Sequence, residues 1–129
     1  MTRSNRNPIP TQHIHVQIGG YGGPFYELEL KASGLFYQAS SDGYFHEKPL
    51  LVHPDADAYA RFWLAIDAMG AWRWRDEYCD RDIVDGTSWS VELRKGPLKL
   101  TSSGNNAYPR KFREFLKAVQ SLIGGLPFA

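Results

Sequence analysis

A chain of 129 residues fits one domain with a real core and is too short for two. Its 43% hydrophobic and 14% aromatic content argues for an ordered globule, and a net charge of +1 supplies no field to draw it onto nucleic acid or an anionic membrane. Cys79 is the single cysteine, which excludes an intramolecular disulfide, and no run approaches the roughly 20 apolar residues of a membrane span.

Residues 1–11 are polar and proline-punctuated and read as a flexible tail; with two arginines and no apolar core they are not a signal peptide. The expectation is a cytoplasmic protein with one domain over 12–129. From His13 the chain alternates, with Ile14, Val16 and Ile18 on one face of a strand and His13, His15 and Gln17 on the other. The glycine run from Gly19 to Gly23 breaks it. A second strand over 25–31 sets Tyr26, Leu28 and Leu30 against Glu27, Glu29 and Lys31. Short turns then predict strands over 35–40 and 44 to about 48, an antiparallel meander.

Pro54, Asp55 and Asp57 open a helix whose inner face carries Tyr59, Phe62, Trp63, Ile66 and Met69 and which stops at Gly70. Residues 72–78 alternate again as a strand, and 80–86 form a charged loop. Trp89, Val91 and Leu93 form the inner face of the next strand, and Leu98 and Leu100 that of its hairpin partner. The last helix has Pro109 near its start. Its stripe is Phe112, Phe115, Leu116, Val119, Leu122 and Ile123, and Gly124-Gly125 closes it.

Residues 25–35 resemble residues 88–98, and each hairpin leads on to a proline-led helix. A diverged duplication would look this way, and so would any two amphipathic hairpins. The fold expected is α+β: a mostly antiparallel sheet with two helices packed on one face.

The first candidate site is a polar loop of Ser102, Ser103, Gly104, Asn105, Asn106 and Tyr108, read as leading directly into the last helix. Backbone N–H groups and the positive end of a helix dipole converge at such a place and suit a carboxylate, a phosphate or a peptide backbone. Plain helix capping would also use serine and asparagine, although four donors exceed what capping needs.

Trp72-Arg73-Trp74-Arg75 would suit base stacking and phosphate contact on a strand, or core filling by the tryptophans with solvated arginines. Asp80, Asp82 and Asp85 lack the glycine position and distant glutamate of a calcium loop. His13 and His15 share a strand face, but no third histidine or cysteine is near in sequence, and His46 and His53 could approach only through the fold. No metal and no cofactor are expected. The glycine run leads into a strand rather than a helix, which argues against a phosphate cradle. Cys79 has an acidic neighbour, Asp80, and no activating base beside it. The basic face of the last helix, Arg110, Lys111, Arg113 and Lys117, suits solvent contact.

Asp85-Gly86-x-x-Trp89, followed by Ser102-x-Gly104-x-Asn106-Ala107-Tyr108-Pro109 and the paired Phe112 and Phe115, resembles a pattern of small uncharacterised bacterial proteins. The resemblance covers about a third of the chain and implies no activity. The functional expectation is a non-catalytic binding or interaction module, of adaptor, immunity or anti-defence type. It would take a protein partner or a small polar or anionic ligand through the loop at 102–108. Two rivals stand beside it: a small hydrolase or phosphate-handling enzyme built on His13, His15, Asp85 and Glu92, and, more weakly, a nucleic-acid binder. The oligomeric state is open, a homodimer included.

Overall fold

The computed structural model of the chain describes residues 12–20, 22–45, 47–82 and 86–129. The expected tail over 1–11, His46 and the trio Ile83, Val84 and Asp85 lie outside the described residues. Seven strands are formed: β1 Gln12–Gly20, β2 Phe25–Lys31, β3 Gly34–Ser40, β4 Leu50–Val52, β5 Glu77–Cys79, β6 Thr87–Lys95 and β7 Leu98–Asn105. They make one sheet in the order β4-β3-β2-β1-β6-β7-β5. Every neighbouring pair is antiparallel except β5 and β7.

Register stacks the apolar positions in rows. Tyr37, Leu28, Val16, Val91 and Ser102 lie side by side across five strands, and Ile18 sits between Tyr26 and Trp89. A one-residue slip would turn every one of these side chains to the other face, so the pattern holds the register. The chain is therefore an α+β fold, a mostly antiparallel sheet with two helices, α1 Ala56–Ala68 and α2 Phe112–Leu122, over its apolar face.

α1 begins where the Asp55 carboxylate accepts from the Ala58 amide at 2.8 Å and ends at Gly70, whose φ of 72° a side chain would resist. Phe62, Trp63 and Ile66 are its buried stripe. Trp63 also donates through Nε1 to Gln12 Oε1 at 2.9 Å, fixing the start of β1. α2 buries Phe112, Phe115, Val119 and Leu122, with Ile123 just beyond, each fully buried apolar side chain contributing about 1.5–3 kcal/mol. It closes in a paired-glycine cap: the Gly124 amide bonds the Ser121 carbonyl and the Gly125 amide the Gln120 carbonyl. The cap turns the chain back so that buried Phe128 packs on Tyr26, while the Tyr37 hydroxyl donates to the Pro127 carbonyl at 2.6 Å. Burial pushes the Tyr37 phenol above its ordinary pKa, and neighbouring Tyr26 adds in the same direction.

Several expectations differ. First, β1 runs on through Gly19 and Gly20. Residues 41–45 bend rather than begin a strand: Ser40 Oγ accepts from the Gly43 amide, and Asp42 accepts from the Tyr44 amide. These local bonds shape the turn after β3, and the next strand among the described residues, β4, begins at Leu50. The strand over 72–78 is also absent. Left-handed Gly70 feeds a single 3-10 turn, Ala71–Arg73, and only Glu77–Cys79 pairs with the sheet. Trp72 stacks on Trp63 and Trp74 packs edge-on to Phe115, so the tryptophans add to the core and no arginine-bearing strand face exists there. Finally, alternation puts Leu98 beside Leu100 on the inner face, yet at the hairpin tip, paired with Lys95, it stays 43% exposed.

Candidate functional site

The residues expected to form a loop before the last helix are mostly strand. β7 continues to Asn105 because both of its edges are taken, by β6 along its length and by β5 at its end. The Ser103 amide donates to the Asp76 carbonyl at 3.0 Å, and the Asn105 carbonyl accepts from the Asp80 amide at 2.9 Å. Backbone groups spent in a ladder cannot also cradle an anion. Nor do these side chains cap α2. Its N-cap is Lys111, in the left-handed region at φ 71°, with no side-chain cap hydrogen bond.

Alternation divides the six residues by role. Ser102 and Gly104 face inward and are buried. Ser102 Oγ donates to the Arg75 carbonyl at 2.6 Å, tying the connector after α1 to the sheet. Gly104 lies under the Trp89 indole, which donates through Nε1 to the Ala107 carbonyl at 2.9 Å. Ser103 and Asn105 face outward, where Ser88 Oγ donates to Asn105 Oδ1. Asn106 takes φ 59° and donates its amide to the Thr87 carbonyl, which ends the pairing of β6 and β7. Tyr108 lies half over Trp89 and Phe112, ring centroids 6.4 and 5.1 Å away, and remains 45% exposed.

Ser102→Ala should therefore cost about 1–2 kcal/mol, the loss of a buried hydrogen bond that leaves a carbonyl unmatched. Ser103→Ala, on the exposed face, should stay within about 0.5 kcal/mol of wild type. Urea midpoints of the two variants check the contrast, and equal midpoints would refute the division.

What gathers around these residues is a sheet end with a hollow on either side. On the helix side a groove of about 870 Å³ runs beneath Tyr108, floored by Ile18, Tyr26, Phe112 and Leu116. Lys111, Arg113 and Lys117 line it, with Glu114 as the one acid among its side chains. Three of the four cations assigned to a solvated helix face thus border a concavity. On the opposite side a hollow of about 530 Å³ is lined by Gly20, Phe25, Asp80, Ser88, Asn105 and Asn106. Gly19 and Gly20 at the end of β1 line both. A Cβ on Gly19 would strike the ring of Phe25, its partner in β2, so glycine lets that ring lie across β1 at this end of the hairpin.

The outward face of the sheet carries a second constellation. His13 Nε2 lies 3.5 Å from Glu92 Oε1, beside a hollow of about 510 Å³ that both residues line. His15 Nε2 and Gln17 Nε2 donate to the same oxygen, Glu27 Oε2, at 2.7 and 2.9 Å. The sheet thus brings His13, His15 and Glu92 together from two strands, while Asp85 lies outside the described residues. Glu27 and Glu29 are the members missed from sequence. Their signal is present in the 25–31 alternation, which puts both on the polar face of a strand joined to β1 by a short glycine turn. Among the described residues, no helix is long and apolar enough to cross a membrane. Comparison with known proteins adds no relative: no protein-family model matches the chain, and no curated protein matches it significantly.

Proposed function

We propose that the protein is a non-catalytic binding module that takes an acidic segment of a protein partner in the groove beneath Tyr108. The observation that supports this reading is the combination of an apolar floor with a cationic border, Lys111, Arg113 and Lys117, around a half-exposed tyrosine. Apolar contact with Tyr26, Phe112 and Leu116 would supply affinity, and the cations would select charge and speed encounter. An adaptor, immunity or anti-defence role would use such a surface, an analogy of class rather than of residues. Asn105 and Asn106, in the neighbouring hollow, would extend the contact around the sheet end.

The test compares wild type with Tyr108→Ala and with Arg113→Glu/Lys117→Glu. The charge-reversal variant should melt within about 2 °C of wild type, since Arg113 and Lys117 are exposed. Tyr108→Ala, which gives up its ring contacts with Trp89 and Phe112, should melt lower yet still unfold cooperatively. Capture from lysate, followed by cross-linking through Lys111 or Lys117, should identify a partner whose acidic segment lies at the cross-link and which both variants lose. An unchanged capture profile would refute the groove as the contact surface. The rival, an enzyme, has the His13–Glu92 pair in its favour, a carboxylate placed to orient an imidazole. Turnover of a generic phosphomonoester or ester that vanishes in His13→Gln would favour it over the binding module.

A further inference from the structure

We infer that His15, Glu27 and Glu29 form a binding site for a borderline divalent first-row cation, of the zinc class, on the outward face of the sheet. This inference is independent of the groove. β1 and β2 pair so that His15 stands directly opposite Glu29, and Gln17 opposite Glu27. One imidazole nitrogen and one oxygen from each of the two carboxylates all lie within 4.8 Å of one another. Donors bound at about 2.0–2.2 Å in a tetrahedral arrangement stand roughly 3.3–3.6 Å apart. The cluster is close to that size, and the donors would have to draw in by about 1 Å to share one ion.

Two further observations favour a cation. The Glu27 and Glu29 side chains are only 21% and 34% exposed, and Glu92 adds a third carboxylate on the other side of His15 in the same row. Like charges on neighbouring positions of a sheet face repel. Among the described residues the one lysine or arginine nitrogen within 4.0 Å of these three carboxylates is Lys31 Nζ, 3.9 Å from Glu29, and it also lies over the Phe36 ring. Gln17, meanwhile, holds the Glu27 carboxylate in orientation through its own hydrogen bond, the support a metal-binding carboxylate ordinarily has.

The donor set decides the ion. Magnesium, calcium and manganese(II) favour all-oxygen sites, whereas zinc and cobalt(II) accept one imidazole nitrogen with two carboxylates. On binding, the ion replaces the proton that His15 Nε2 donates to Glu27, and that proton leaves to solvent or moves to Nδ1. Three protein ligands leave a coordination position open toward solvent, since this face has no covering layer among the described residues.

Cobalt(II) chloride titrated into the full chain, purified metal-free, reads the site through its visible absorption. The result expected is saturation at one equivalent, with displacement by zinc and a zinc-induced rise in melting temperature. Glu29→Gln should weaken cobalt binding at least tenfold and abolish the thermal rise; Glu27→Gln is the second variant should the first alter the fold. Absence of saturable binding would overturn the inference. So would binding that persists in Glu29→Gln and is lost in His13→Gln, which would put the ion between the two histidines.

Discussion

Phe115→Ala should destabilise the protein by about 3–5 kcal/mol, the cost of removing a fully enclosed aromatic ring from a packed core. Phe115 has no exposed surface. Its ring meets Trp74 edge-on at 5.6 Å and Phe112 at 5.9 Å, so three aromatic residues from two segments share one contact. The backbone there is helix on one side and a fully paired sheet on the other, so the void could collapse only partly. The urea midpoint should fall with little change in slope. A near-wild-type midpoint would mean that α2 packs outside the cooperative core.

Gly104→Ala should cost about 3 kcal/mol, a large effect for one added methyl group. A Cβ at this position would stand 2.5 Å from Trp89 Nε1 and 2.7 Å from the Ala107 carbonyl oxygen. Those two atoms are bonded to each other at 2.9 Å, so moving either breaks the bond that holds the indole. Trp89, 3% exposed, also packs against Tyr78, Tyr108 and Phe112, and its displacement would disturb the groove as well as the core. Trp89→Phe removes the obstructing nitrogen, so in the Gly104→Ala background it should recover part of the loss. The coupling in a double-mutant cycle measures this. Strict additivity, or a Gly104→Ala variant as stable as wild type, would show that the indole is free to move.

Both helices were legible because their apolar stripes are unbroken and their ends carry chemistry that only helix ends need: Asp55 before α1, Gly70 after it, and the paired glycines after α2. β1, β2 and β6 were legible by strict alternation. The same signal misled at Trp72-Arg73-Trp74-Arg75, where period two in composition coincides with a 3-10 turn and an extended connector. The reverse happened at Ser102 and Gly104. These inward positions hold a serine and a glycine because the space is filled from outside the strand, by the Arg75 carbonyl and the Trp89 indole. Alternation of small residues looks like a loop when the large partner is many residues away. The histidine and carboxylate cluster was hidden for a related reason, its carboxylates lying in a neighbouring strand that only register places beside His15.

β1 is the central strand of the sheet, with three strands on either side. One flank, β2 to β4, follows it immediately in the chain, whereas the other partner, β6, pairs Gln12 with Lys95 and Gly20 with Thr87. During synthesis β1 can therefore join its first hairpin early and must then wait, one edge unpaired, until the chain beyond Thr87 has emerged. An open apolar edge of this kind is where non-native association begins. Closing so long a loop before any reward from pairing also makes this step the expected kinetic bottleneck. Refolding rate should thus respond to substitutions at the β1–β6 seam far more than to equally destabilising ones in the β2–β3 hairpin.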